Sequence, residues 1–437
     1  LGFSLPEELD LNSDTLRQIE NLVRRAVDLK ATPGGVVLVA KNGQVVYEKA
    51  FGYHTYRRER PVHIDDVYDL ASLTKILAST LAVMKLKEEG ALELDAPIAR
   101  YLPELESTNK AELNLRDIMA HHAGLIGWIP FYRQTLAGSR RSPRPAPAFY
   151  RRSAGDPYDV PVTEHLFLRR DMVDTIWRQI ADSELRDNHG YRYSDLGFYL
   201  IARIVESVSG QPLDQYVATH FYRPLGLPTA TFRPWKYLSL DRVPPTEEDR
   251  YFRRQQIHGY VHDMGAAMLG GISGHAGLFA SAREVAVLMQ MLLQDGYYGG
   301  RRYLDAATVR EFTTRHPLSS RRAIGFDMFQ LDPHYAPNLS PLASKQSFGH
   351  TGFTGTCTWA DPENDIVYVF LSNRTYPSMK NYKLNRMDVR DRIQTMVYEA
   401  AGPKEKEEER LALPVPPGAD PLPPHSRKGE IVSSMEE

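Results

Sequence analysis

Two hairpin signals stand at opposite ends of this chain, and their separation limits the fold more than any other feature. Gly34-Gly-Val-Val-Leu-Val-Ala40 and Gln44-Val-Val-Tyr-Glu-Lys-Ala50 flank Lys41-Asn42-Gly43, where Asn-Gly readily takes the positive φ of a tight turn. Gly355–Ala360 and Ile366-Val-Tyr-Val-Phe-Leu371 flank Asp361-Pro-Glu-Asn-Asp365, a second turn-rich joint. Between them the periodic stretches are helical: 72–89, 115–125, 169–183, 196–209 and 283–295. Helices over 12–31 and 383–401 bracket the whole. Strands at both ends around helices imply a discontinuous α/β domain, an antiparallel sheet flanked by helices, with a mostly helical domain inserted. The boundaries read as a lead segment 1–14, the α/β domain 15–105 and 283–401, and the helical domain 106–282. Residues 128–165, rich in Arg, Pro, Tyr and Ser, read as a long surface insertion placed to roof a site. Residues 402–437 read as a polar, Pro-rich, disordered tail.

A formal net charge of -2 provides no field to gather nucleic acid or anionic lipid, and no Lys/Arg block with interleaved aromatics appears. No stretch reaches the ~18 apolar residues of a membrane span. One cysteine, Cys357, excludes an internal disulfide and a cysteine-based zinc site. It lies in a strand-like run and reads as a packed small side chain. The chain opens at Leu1, with no basic and apolar leader, which reads as a trimmed or excised piece.

Chemistry enters with Ser72-Leu-Thr-Lys75. On a helix, positions i and i+3 share a face, so a lysine can activate the serine hydroxyl. Chance alone provides about one Ser-x-x-Lys in a chain of this length. Ser107-Thr-Asn-Lys110 is such a match, in a polar surface loop, whereas Ser72 opens what reads as the strongest amphipathic helix of the chain. Tyr193-Ser-Asp195 precedes the helix at 196, and a tyrosine beside a lysine can shuttle the serine proton. Asp195 has a second reading, as the cap of that helix. Tyr303-Leu-Asp305 is a formal decoy. Gly349-His-Thr-Gly-Phe-Thr-Gly355 enters the late strand, and its glycines allow close backbone approach to a ligand.

In this order the three elements resemble those of the serine β-lactamase and penicillin-binding-protein superfamily. The resemblance covers roughly residues 15–400, includes the Leu115–Leu125 turn, and implies the β-lactamase/transpeptidase-like fold. It implies an acyl-enzyme on Ser72, with Lys75 and Tyr193 handling protons and Asp195 positioning Lys75 or the substrate amide. His350, Thr351 and Gly352 line the strand side, and the N–H groups of Ser72 and Phe353 form the oxyanion hole. The family's asparagine is Asp195 here and its lysine is His350. Histidine is mostly neutral near pH 7, which counts against an efficient penicillinase or D-alanyl carboxypeptidase. No glutamate base of the class A kind is evident, so class C-like chemistry through Tyr193 fits better.

Val261-His-Asp-Met-Gly-Ala-Ala-Met-Leu-Gly-Gly-Ile-Ser-Gly-His-Ala-Gly-Leu-Phe279 resembles signatures of cell-wall-turnover members. These include exo-acting N-acetylmuramoyl-L-alanine amidases, some fused behind a family 3 β-N-acetylglucosaminidase, and a start at Leu1 suits a domain cut from such a fusion. The implied reaction is cleavage of the amide between the muramic-acid lactyl group and the peptide, in the periplasm or cell envelope. His262 and His275 are candidate substrate contacts. His258, His262 and Asp263 read as structural rather than metal-binding, as does the His121-His122 pair, and no cofactor or metal is called for. The alternatives are a carboxylesterase on the same scaffold, a weak β-lactamase or D-alanyl carboxypeptidase, and a penicillin-binding-like sensor. No Gly-x-Ser-x-Gly elbow occurs, which excludes an α/β-hydrolase esterase.

Overall fold

The computed structural model of the chain describes residues 1–139, 141–187 and 190–402; the tail read over 402–437 lies outside them beyond its first residue. The central sheet has the order β1-β3-β2-β7-β6-β5-β4. Its strands are β1 (Gly2–Phe3), β2 (Gly34–Lys41), β3 (Gln44–Gly52), β4 (Asp327–Met328), β5 (Phe348–Thr351), β6 (Cys357–Asp361) and β7 (Ile366–Ser372). All neighbours are antiparallel except β1 and β3. Both expected hairpins form, the first turning on Asn42 and Gly43 at φ 50° and 73°. β7 pairs with β2 along its full length, so the two ends of the chain meet at the middle of one sheet.

The unbroken apolar runs of β2 and β7 follow from burial on both faces. Val36, Leu38 and Ala40 of β2 and Val367, Val369 and Leu371 of β7 enter the larger core. Val37, Val39, Ile366, Tyr368 and Phe370 point the other way, into a second core. Over that second core pack α1 (Ser13–Asp28), capped by Asn12, and α5 (Val389–Ala401). On the opposite face α4 (Ala282–Leu293) lies against β2, β6 and β7.

Four elements differ from their sequence reading; one is the helix expected over 115–125, which ends at Met119, with His121 at φ 63° just beyond it. The segment after Ser72 starts as a turn, continues as a π-helical turn over Lys75–Ser79 and becomes α2 only at Thr80–Glu88. Every residue from Leu73 to Met84 is buried, so this is an enclosed helix, not the most amphipathic one. The helix expected over 383–401 breaks at Asp388, φ 50°, into Lys383–Arg386 and α5. The insertion 128–165 is richer in strands than its weak periodicity indicated. It holds the hairpin Leu136–Ser139 with Ser142–Pro145, and its strands Tyr150–Arg151 and Tyr158–Thr163 form a small sheet with Leu166–Arg169 just beyond it. Short, half-exposed strands interrupted by prolines do not alternate clearly. Among the described residues no helix is long and apolar enough to cross a membrane.

Candidate active site at the Ser72 turn

Ser72 sits on a tight turn held from behind. Tyr68–Asp69 pairs with Leu278–Ala280, and the chain then turns through Ala71 at φ 48°. A residue with a Cβ takes that left-handed conformation at a cost of about 1–2 kcal/mol, so something must hold it. Asp69 does: one carboxylate oxygen accepts from Ala71 N at 2.9 Å and the other from His262 N at 2.7 Å. Ser72 is thereby presented one turn ahead of Lys75.

The Lys75 ammonium is fully buried among three oxygens, donating to two of them and pairing with the carboxylate by charge. They are Ser72 Oγ at 2.9 Å, Asp195 Oδ1 at 2.7 Å and the His275 carbonyl at 3.3 Å. Burial alone pulls the Lys75 pKa down, but the neighbouring Asp195 and Tyr193 outweigh it and the net shift is upward. Tyr193 Oη donates to Ser72 Oγ at 3.1 Å, and burial pushes its phenol upward against the pull of Lys75. The resting site is therefore ammonium, phenol and carboxylate around one serine hydroxyl. Asp195 occupies the N-cap position of α3 (Leu196–Ser209), yet its side chain makes no capping bond and turns to Lys75 instead. The Tyr193–Asp195 loop is pinned by Asp195 N to Gly127 O at 2.9 Å, Ser194 Oγ to Ile126 O at 2.6 Å and Ser194 N to His121 Nδ1 at 3.2 Å. The His121 ring lies 4.4 Å from that of Tyr193, and His122 stacks on His316, which gives the pair a packing role.

The strand side is clamped to the same turn. Thr354 Oγ1 donates to Asp69 O at 2.8 Å and Thr356 Oγ1 to Leu70 O at 3.1 Å. A Cβ at Gly352 would lie 2.0 Å from Thr356 Oγ1 and 2.6 Å from Leu70 O, so only glycine lets strand and turn close this far. β4 pairs with Phe348 and Gly349 alone, which leaves the edge at His350 and Thr351 open. Among the described residues neither Ser72 N nor Phe353 N donates a hydrogen bond. Both are thus available to an oxygen. The Phe353 ring, 44% exposed, lies against His262 and the Arg374 guanidinium.

His350 is neutral, as its residue type suggested, but it is not alone. Burial, then Arg322 and Lys75, push its pKa down to about 3. Its Nδ1 donates to Thr351 O at 2.7 Å, which leaves Nε2 to accept from Arg322 Nη1 at 3.2 Å. That fixes the tautomer. Arg322 is buried, lies 5.3 Å from the Tyr193 ring centre and binds Tyr191 Oη at 2.9 Å. Asp327 pairs with Arg321 and lies 3.7 Å from Arg322; burial works against its charge, but Arg322 and Arg321 hold it below the usual carboxylate range. Setting Lys75, Arg321 and Arg322 against Asp195 and Asp327 leaves one positive charge in surplus. The neutral histidine therefore does not count against carboxylate substrates as expected, because a guanidinium from the segment before β4 lies against it. Arg321-Arg322 belongs to no motif, and nothing in the sequence marked it.

The Val261–Phe279 stretch serves the frame behind the site. Its Gly274 carbonyl accepts from Ser79 Oγ at 2.7 Å, and its His275 carbonyl from Lys75. The His275 ring is buried between Ser273 at 2.9 Å and Asp263 at 2.8 Å, and the His262 ring is buried against Glu247 at 3.0 Å. The expectation that these rings touch substrate is corrected accordingly, since both are enclosed and already bound. His258 Nε2 lies 2.7 Å from Val243 O, and among the described residues no group of three potential ligands could hold a metal ion. Ser107 is exposed, while Lys110 is buried on Ala181 O and Asn109. Cys357 is buried, its thiol pushed up to about 12 by burial.

The family model for Beta-lactamase matches residues 19–390. A protein of Escherichia coli K12, provisionally named a D-alanyl-D-alanine carboxypeptidase, is 33% identical over 407 residues, 87% of each chain. Among solved structures, the hydrolase EstCE1, described as having promiscuous acyltransferase activity, superposes with TM-score 0.63 at 21% identity, covering 88% of this chain and 99% of that one. A class C β-lactamase from Rhodobacter sphaeroides superposes with TM-score 0.59 at 20% identity, covering 87% and 99%. With the Ser72 turn, its lysine and its open strand edge in place, the chain belongs to the beta-lactamase family of serine hydrolases.

Proposed function

We propose that this serine hydrolase cleaves an amide in cell-wall-derived peptides that end in a free carboxylate, the D-alanyl carboxypeptidase reaction, through an acyl-enzyme on Ser72. The observation that carries the reading is Arg322, a buried guanidinium against His350 at the open edge of β5. Its nitrogens are already bound to Tyr191 and His350, so it favours a carboxylate at that edge through its charge. The provisional name of the Escherichia coli relative points the same way. A muramoyl amidase loses the support that put it first, because the stretch that suggested it holds Lys75 and Ser79 rather than facing substrate.

In the proposed reaction Ser72 Oγ attacks the amide carbon while the N–H groups of Ser72 and Phe353 receive the oxyanion. Substrate binding displaces water, which weakens the Lys75–Asp195 ion pair relative to its neutral form. Lys75, having passed a proton to Asp195, then takes the Ser72 proton, and Tyr193 relays one to the leaving amine. In deacylation Tyr193 and Lys75 activate water in the reverse sense.

The test is a panel incubated side by side: a D-alanyl-D-alanine peptide, the same peptide amidated at its C-terminus, a muramoyl peptide with its lactyl amide, a short acyl ester and a chromogenic cephalosporin. Release of D-alanine from the free acid alone is the expected outcome. Cleavage of only the lactyl amide, or of only the ester, overturns the proposal.

A further inference from the structure

None of the residues described around Ser72 comes from the Arg-rich insertion, which builds a cavity of its own. Between its two small sheets and the segment Arg253–Gln255 lies a cavity of about 680 Å³. Arg144, Arg151, Arg152, Arg254 and His165 line it, and no aspartate or glutamate does. Arg253 also reaches its wall, but that guanidinium is buried and spent on Asp249 at 2.9 Å and on the carbonyls of Val261 and His262, both at 2.7 Å. The other four arginines form no contact ion pair among the described residues. Two of them are set in place. Arg151 lies 4.2 Å over the Tyr158 ring and donates to Tyr150 O at 2.9 Å. Arg254 is held at φ 61° with a bond to Arg250 O at 2.8 Å.

Four like charges around one hollow repel each other, and the nearby Glu164 carboxylate, 3.8 Å from His165 Nε2, pairs with none of the four. An anion from outside would relieve that repulsion. The volume is too large for one small ion, and guanidinium forks match phosphate oxygens in pairs. Tyr150, Pro145 and Leu166 supply apolar wall between the charges, a surface for carbon rather than for a bare ion. We propose that this cavity is a second binding site, separate from Ser72, for phosphate-bearing anions, with room for two or more phosphate groups. The phosphate comes either from a soluble phosphodiester or polyphosphate or from lipid headgroups.

The test uses the full chain and sodium tripolyphosphate as the probe, titrated calorimetrically against sodium sulfate at matched ionic strength. Tripolyphosphate is expected to bind at least about 10-fold more tightly than sulfate, and the R144Q/R152Q/R254Q variant to lose that advantage. All three side chains are exposed, so the thermal transition and the turnover of a short Ser72 substrate stay at wild-type values. Equal affinity for the two anions, or unchanged tripolyphosphate binding by the variant, overturns the proposal. Cosedimentation with phosphatidylglycerol but not phosphatidylcholine vesicles, lost in the same variant, assigns the phosphate to headgroups. Tight tripolyphosphate binding without cosedimentation assigns it to a soluble ligand.

Discussion

Ser72, Lys75 and Asp195 divide the work so closely that each substitution has its own signature. S72A removes the hydroxyl that accepts from both Lys75 and Tyr193, and labelling by a fluorophosphonate probe is expected to vanish with it. Turnover should fall by about 10³-fold or more, and equal labelling of wild type and variant would refute the assignment. D195N acts on the proton instead. Without the carboxylate, burial dominates Lys75 and its pKa drops. The acid limb of the kcat/KM profile then moves to lower pH while the plateau falls, since the relay to Asp195 is gone. A profile that keeps its limb in place would place the titrating group elsewhere. R322Q separates recognition from chemistry: KM for the free-acid peptide rises by roughly 10-fold or more, whereas kcat changes little. R322K, which keeps the charge, recovers part of the loss. How much of this the sequence discloses depends on the atom concerned. Ser72, Lys75 and Tyr193 sit in short motifs whose side chains do the work. The third partner of Lys75 is a main-chain oxygen, which any residue at position 275 would supply. Arg322 reaches His350 only because β4 pairs with Gly349, a tertiary fact with no local signal.

At the scale of elements, the site depends on glycines that let α3 and the Ser72 segment meet. A Cβ at Gly274 would fall 2.1 Å from Phe198 O and 2.9 Å from Ser79 Oγ, so it wedges between α3 and the turn that carries Lys75. G274A is expected to lower stability by about 1–3 kcal/mol and to cut turnover in the same preparation, measured by urea unfolding and by initial rates. A variant of wild-type stability with normal rates would show that the wedge is absorbed elsewhere. Both hairpins, α1 and α3 were legible because an apolar period ran unbroken between recognisable turns and caps. The Lys75–Glu88 segment was misjudged because its neighbours cover every face, and a helix buried all round has no stripe to read. The insertion was illegible for the opposite reason: its strands are too short and too exposed for alternation to emerge.

For the whole molecule, buried histidines shape the response to acid. His350, with a pKa pushed down to about 3, and His121, well below its usual value, are both neutral in the fold, chiefly through burial. An unfolded histidine takes a proton near pH 6.5. As pH falls below about 6.5 the unfolded chain therefore gains protons that the native chain refuses, and stability drops. For His350 that loss continues until about pH 3. Asp327 adds a separate loss below about pH 4, where the unfolded carboxyl takes a proton that the native one still refuses. Asp69, raised by burial, works weakly in the opposite direction. Urea midpoints at pH 7.5, 6 and 5 should fall steadily, and a level response over that interval would contradict the neutral burial of these rings.

The pairing of β2 with β7 also sets a schedule. β2 leaves the ribosome early and β7 late, so the strand destined for the middle of the sheet waits with one edge bare and both faces apolar. Such an edge invites other chains. A nascent chain stopped before Ile366 has already made Ser72, Lys75, Tyr193 and His350, yet lacks the strand that locks their supports together. Catalytic competence therefore arrives late and all at once, and pulse-labelled ribosome-bound chains should react with a serine probe only after Ser372 has cleared the exit tunnel.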